Sequence, residues 1–190
     1  MEEKWTNVDN VSLACHKWCP SSKPSFLMYI VHGYGDHAGR YSKLAEYVNS
    51  FGGIVYSHDH FAHGKSGPYD LNSPNRCQAQ NLHAVVRDVA DRITIVSKLH
   101  PDLKVFVYGH SFGGLIALQF ALDYADLFQY LIIQSPALIA HSKSAGWLLI
   151  LVARILNYIF PNYKLPDGGE DKVSRYDMKR KSSNVHKCFF

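Results

Sequence analysis

Ten residues, Val105-Phe106-Val107-Tyr108-Gly109-His110-Ser111-Phe112-Gly113-Gly114, constrain this chain more than any others. Four apolar residues in a row leave no polar face. They read as a strand buried on both sides, the pattern of a parallel sheet covered by helices. The apolar-rich run Leu115 to Leu122 follows at once and reads as a helix. Between the two lies G-H-S-F-G. A strand that turns into a helix over so short a length brings backbone close on both sides of the serine. Gly109 and Gly113, at i−2 and i+2, avoid the clash that a Cβ would make there. Such a turn holds the Ser111 hydroxyl above the sheet, at the positive end of a helix and beside the Phe112 amide. An oxyanion formed on an attacked carbonyl meets a donor in that position. Ser111 is therefore the candidate nucleophile, with an ordinary serine in a glycine-rich turn as the alternative.

The rest of the chain supplies a frame for that turn. Val11, Leu13 and Cys15 alternate with Ser12, Ala14 and His16, which predicts a half-buried antiparallel strand near an edge. Phe26 to Val31 is a second fully apolar run, predicting a buried parallel strand. It runs into His32-Gly33-Tyr34-Gly35-Asp36-His37, where two glycines let the backbone turn sharply and present an amide inward. His32 reads as a packing histidine and His37 as a surface one. Tyr41, Leu44, Ala45 and Val48 have helical spacing, ended by Gly52-Gly53. Ile54-Val55-Tyr56 is a short buried strand that leads to His58-Asp59-His60-Phe61-Ala62-His63. The histidine spacing of i, i+2 and i+5 matches no usual zinc pattern, so these residues read as a hydrogen-bonded loop and not as a metal site.

Leu71 to Gln80 is polar and loop-like. Asn81 can cap a helix whose apolar stripe is Leu82, Val85, Val86, Val89, Ile93, Val96 and Leu99, with Pro101 just beyond its end. Asp88 and Arg92 fall at i and i+4 on it, an order that favours an ion pair. Tyr130 to Ile133 predicts a further buried strand. Strands alternating with helices imply an α/β fold: a mostly parallel sheet with right-handed crossovers and helices on both faces.

Composition narrows the function. At 190 residues, 47% hydrophobic and 19% charged, the chain has the material for one domain with a buried core. The net charge of +4 is mild and much of the excess lies in the last twenty residues, so no basic stripe argues for nucleic acid. Cys15, Cys19, Cys77 and Cys188 have no paired metal-ligand spacing. They read as reduced thiols, which points to the cytoplasm. The polar start Met1-Glu2-Glu3-Lys4 has no apolar segment of the secretory type.

Three blocks, His32-Gly33-Tyr34-Gly35-Asp36-His37, His58 to Ser66, and Gly109 to Gly114, together resemble the monoacylglycerol lipases of the α/β-hydrolase superfamily, in order and in spacing. The resemblance runs over about residues 10 to 165. It implies an α/β-hydrolase fold, with Ser111 as nucleophile and the backbone amides of Tyr34 and Phe112 as the oxyanion hole. It makes Gly33, Gly109 and Gly113 the glycines of that machinery. It implies hydrolysis of monoacylglycerol to glycerol and fatty acid, with no cofactor and no metal. Family members more often carry methionine or another apolar residue where this chain has Phe112.

On this reading residues 1–136 are the N-terminal part of the hydrolase core. Residues 137–166 resemble the family's cap, a helical lid over the site, and here a partial one. Within it Trp147 to Phe160 is apolar apart from Arg154 and is stopped by Pro161. That run is too short and too charged to be a comfortable membrane span; it either covers the site and is buried or exposes an apolar face to the lipid interface, and a helix apolar on both sides over a lipid tunnel satisfies both. Residues 167–190 form a polar basic tail, expected to be disordered. The family's pattern continues with strand–helix units that carry the triad acid and histidine, and this tail has no strand pattern. The fold is therefore expected to be incomplete on its C-terminal side. Asp167, Asp171 or Asp177 with His186 are what chain order leaves for acid and base. Two functions follow: a serine ester hydrolase of the monoacylglycerol lipase type, or a truncated, non-catalytic relative that binds lipid or a partner through the cap.

Overall fold

The computed structural model describes residues 2–67 and 81–138. Its elements in chain order are β1 (Glu2–Thr6), β2 (Ser12–Trp18), β3 (Phe26–Val31), a 3-10 turn (Ala38–Tyr41), α1 (Ser42–Ser50), β4 (Gly53–His58), α2 (Leu82–Lys98), β5 (Lys104–His110), α3 (Phe112–Asp123), a second 3-10 turn (Ala125–Leu127) and β6 (Tyr130–Gln134). The chain divides into two compact units, Met1–Gly146 and Trp147–Phe190. The second unit lies outside the described residues, and with it the expected tail and most of the expected cap.

The strands form one sheet in the order β1-β2-β4-β3-β5-β6. β1 and β2 are antiparallel to their neighbours, and β4, β3, β5 and β6 are parallel. Alternation along β3 shows why both faces need cover. Leu27, Tyr29 and Val31 point into a core closed by Val85, Val89 and Ile93 of α2 and by Ile116 and Phe120 of α3. Met28 and Ile30 point the other way, onto Ala45 and Val48 of α1 and Val55 of β4. Each fully buried Leu, Ile or Phe contributes about 1.5–3 kcal/mol relative to an exposed one. The two faces therefore hold the sheet between helices, as the alternation of elements predicts.

Three expectations need correction. β2 is not half-buried: Leu13, Ala14, Cys15 and His16 are all buried, because β1 adds a further strand outside it and cover reaches both faces. The sequence Glu-Glu-Lys-Trp-Thr gave no hint of β1, having one apolar side chain in five. The Asp88–Arg92 pair does not form. Asp88 accepts two bonds from the Asn7 side-chain amide at 3.0 and 3.1 Å. Arg92 bonds Glu3 of β1 and lies 5.9 Å from the Trp5 ring. β1 and the turn after it pack over this part of α2 and take both partners. Finally, β6 is not fully buried. Leu131 and Ile133 pack on the core, but Tyr130 and Ile132 are 45% and 42% exposed. β6 ends the sheet among the described residues, and α3 covers its face with Leu131 and Ile133, while on the other face Tyr130 is covered only in part, by the Phe106 ring at 4.4 Å.

Candidate active site

Parallel strands β3, β4 and β5 all end at the same edge of the sheet, and their following loops meet there. This is where α/β sheets gather functional groups. The β3–β4 register sets Ile30 beside Ser57, and the β3–β5 register sets Val31 beside Gly109. Residues 32–37, 59–67 and 110–112 therefore converge although up to about eighty positions separate them in the chain.

Ser111 sits between β5 and α3 with φ 55° and ψ −119°. That is a left-handed conformation costing roughly 1–3 kcal/mol for a residue with a side chain, and it persists because its surroundings over-determine it. Its amide donates to the Gln134 carbonyl at 3.0 Å, and its carbonyl accepts from Gly114 at 2.9 Å and from Ala137 at 3.0 Å. The backbone of the turn is thus tied to β6 and to the residues after it. Among the described residues the Ser111 hydroxyl itself has no hydrogen-bonded base. Phe112 opens α3, so its N–H has no carbonyl four residues back within the helix to bond.

The glycines explain how closely the turn is packed. A Cβ on Gly113 would lie 2.1 Å from the Val31 carbonyl oxygen and 2.4 Å from that of His32. A Cβ on Gly109 would lie 2.5 Å from the Gly113 carbonyl oxygen. The first turn of α3 therefore rests directly on the end of β3. A Cβ position on Gly33 lies 3.4 Å from the Ser111 Cβ, so the loop after β3 runs alongside the serine. The rings of Tyr34 and Phe112 meet edge to face at 6.3 Å.

Behind this loop lies a buried polar layer. Asp59 is its hub: Oδ1 accepts from the Ala38 amide at 2.7 Å and Oδ2 from the Lys65 amide at 2.7 Å. His16 Nε2 is 3.6 Å from Oδ1. Burial pushes Asp59 up, but the nearby His16 ring and the bonds from the two amides outweigh it and hold the carboxyl below its ordinary value. Ser66 donates to the Asp59 carbonyl and accepts from the Ala14 amide, joining this loop to β2. His32, His58 and His60 are all within 2% of complete burial. Burial lowers all three below the usual histidine range, His58 to about 4. Mutual repulsion among the rings adds to the effect at His32 and His60, and repulsion from His16 adds to it at His58, where Asp59 opposes it. Tyr41 donates to Asp36 at 3.1 Å, and its hydroxyl is 3.3 Å from His110 Nδ1.

Ser111, Phe112, Gly33 and Tyr34 are thus brought together, with Gly109 and Gly113 forming the turn. No three or more His, Cys, Asp or Glu side chains among the described residues are arranged to hold a metal ion. Cys15 is buried and Cys19 exposed, both as free thiols; Cys77 and Cys188 lie outside the described residues, as do Asp167, Asp171, Asp177 and His186. The loop with His58, Asp59, His60 and His63 is hydrogen-bonded and His32 is buried, as the sequence predicts, but the particular partners of His32, His60 and Tyr41 are not legible in it. Each bonds a partner that only the strand register brings near, and no local spacing signals it.

A mostly parallel sheet with helices on both faces and a strand–serine–helix turn at its carboxyl edge defines an α/β-hydrolase. Residues 22–188 match the Hydrolase_4 family, described as serine aminopeptidase, S33, and the chain belongs to that family. Monoglyceride lipase of Mus musculus is 35% identical over 159 residues, covering 84% of this chain and 50% of that protein. Monoglyceride lipase of Homo sapiens is 35% identical over 169 residues, covering 89% of this chain and 54% of that protein. The crystal structure of Paleococcus ferrophilus monoacylglycerol lipase superposes with a TM-score of 0.67 at 27% identity, over 92% of this chain and 64% of that one. The chain thus spans about half the length of the mouse and human relatives.

Proposed function

We propose that this chain carries the nucleophile half of a serine ester hydrolase acting on monoacylglycerol. Ser111 Oγ attacks the ester carbonyl, and the amides of Tyr34 and Phe112 receive the oxyanion. As the tetrahedral intermediate collapses, the proton taken from the Ser111 hydroxyl passes to the departing oxygen, so glycerol leaves and an acyl-serine remains, which water then hydrolyses to the fatty acid. The observation that carries this reading is the Ser111 turn itself: a left-handed serine at a helix start, with the Gly33 loop 3.4 Å from its Cβ. The relatives named as monoglyceride lipases support an acylglycerol as the substrate.

A serine hydroxyl is a weak nucleophile until a base takes its proton. With no base bonded to Ser111 among the described residues, the reaction depends on His186 and one of Asp167, Asp171 or Asp177, or on a partner that supplies the pair. Loss of a triad member lowers the rate by several powers of ten and leaves what oxyanion stabilisation and binding provide, on the order of 10³–10⁴ over water. Hydrolysis of a monoacylglycerol, compared with an aminoacyl 4-nitroanilide, tests the assignment. Ester cleavage that disappears in Ser111→Ala is expected. Cleavage of the anilide in preference would refute the ester reading and favour the peptidase chemistry of the family description.

The apolar stretch 147–160 lies outside the described residues, and on its sequence we assign it to peripheral contact with a lipid surface on the cytoplasmic side. Among the described residues no helix is long and apolar enough to cross a membrane.

A further inference from the structure

Two buried histidines at the site have a reciprocal arrangement that packing alone does not require. The His60 backbone N–H donates to His32 Nε2 at 2.9 Å. The ring of His60 returns the bond, with Nε2 3.0 Å from the His32 carbonyl oxygen. The two rings lie 3.9 Å apart. Neither ring can choose its tautomer freely under these constraints. A backbone N–H is only a donor, so His32 Nε2 must be bare and its proton must sit on Nδ1. A carbonyl is only an acceptor, so His60 must carry its proton on Nε2.

His32 Nδ1 is 2.8 Å from the Gly33 carbonyl oxygen, and in the tautomer just fixed it donates there. That carbonyl belongs to the peptide unit joining Gly33 to Tyr34. In a planar trans peptide the N–H points opposite to the C=O. A bond that pulls the Gly33 carbonyl toward the His32 ring therefore turns the Tyr34 N–H away from it. The second donor on that carbonyl, the Asp36 amide, is 3.4 Å away and so is the weaker hold.

We infer that His32 is a positioning residue of the oxyanion hole: its Nδ1–H fixes the peptide plane that carries the Tyr34 donor, and the His60 backbone fixes the tautomer in which His32 does so. This rests on Tyr34 being an oxyanion donor. The chain of bonds runs His60 N–H to His32 Nε2, His32 Nδ1–H to Gly33 O, and Tyr34 N–H to the oxyanion, each link polarising the next. Protonation of His32 would put a second N–H against the His60 amide and break the first link. Burial, together with the neighbouring rings of His60, His63 and His58, opposes that protonation, and the Gly33 carbonyl alone favours it. Oxyanion donors act by being fixed before charge develops, so a plane left free to rotate loses rate without losing substrate binding.

The tautomers can be read without any turnover. Long-range 1H–15N correlation on the 15N-labelled 190-residue chain at neutral pH is expected to show His32 protonated on Nδ1 with bare Nε2, and His60 protonated on Nε2. His32 protonated on Nε2, or as imidazolium, would overturn the inference. The same chain and its variants are then assayed on 4-nitrophenyl butyrate. In His32→Asn the amide nitrogen can replace Nδ1, in His32→Gln it reaches only the Nε2 position, and in His32→Leu both bonds are gone. His32→Leu and His32→Gln are expected to lose ten-fold or more in kcat with KM little changed, and His32→Asn to recover much of the loss. Asparagine no better than glutamine, or leucine equal to wild type, would also overturn it. A rate that survives Ser111→Ala counts against the nucleophile assignment instead, and the tautomer measurement then decides the clasp by itself.

Discussion

Acid should loosen this fold before most carboxylates titrate, and the buried histidines set the size of the effect. His58 is enclosed, with Tyr29 hydroxyl 2.5 Å from Nδ1 and the Trp5 ring 6.3 Å away. Its folded-state pKa is near 4, against 6.5 for a free histidine. The unfolded chain therefore binds the proton first, and stability is lost as pH falls from 6.5 toward 4. At about 1.4 kcal/mol per unit the loss is at most roughly 3.5 kcal/mol. Burial also lowers His32 and His60 well below the free value, and they act in the same direction. One group opposes them. Burial raises Asp88 to about 6, against 3.8 when free, although the Asn7 bonds and Arg87 hold it back. A raised carboxyl adds stability as pH falls from 6 toward 3.8. That offset is at most about 3 kcal/mol before solvent screening reduces it. Three histidines outweigh one carboxylate, so the net change is a loss. Urea unfolding followed by tryptophan fluorescence measures it well, because Trp18 stacks on His16 at 5.6 Å and Trp5 lies beside His58. The midpoint should fall between neutral pH and pH ~4.5, more steeply in Asp88→Asn, where the offset is gone. A flat midpoint over that range in Asp88→Asn would refute the reasoning.

Gly113→Ala should unfold the turn, since its Cβ would meet backbone oxygens at 2.1 and 2.4 Å; a thermal melt should drop by an amount corresponding to about 3 kcal/mol or more. Asn7→Ala strips Asp88 of both bonds from the Asn7 Nδ2, and a loss of about 1–3 kcal/mol in denaturant unfolding is expected, with the Asp88 carboxyl moving further up. Liposome flotation should fall in Leu149→Glu and in Leu156→Glu if the 147–160 stretch contacts lipid, and flotation unchanged in both would remove that contact from the account.

The central frame was legible because its signals are local. Phe26 to Val31 and Val105 to Tyr108 are apolar without interruption, Leu82 to Leu99 keeps one stripe, and Gly109 and Gly113 bracket Ser111. What escaped depends on contacts far apart in sequence. β1 has little apolar pattern and is held by pairing with β2 and by Arg92 on Glu3. Asp88 and Arg92 looked like partners on one helix face, yet each found a better partner on the segment 3–7 that packs over it. His32 and His60 are twenty-eight positions apart, and only the parallel pairing of β3 with β4 makes them neighbours. In β6, continuous apolarity suggested burial on two faces, whereas one face is exposed in the described structure.

The most direct test is to find where an electrophile built for activated serines attaches. The folded 190-residue chain is incubated with a fluorophosphonate, digested and mapped by mass spectrometry. A single adduct is expected, on Ser111, and none in Ser111→Ala. An adduct on another serine with Ser111 unmodified, or equal labelling of Ser111→Ala, would contradict it.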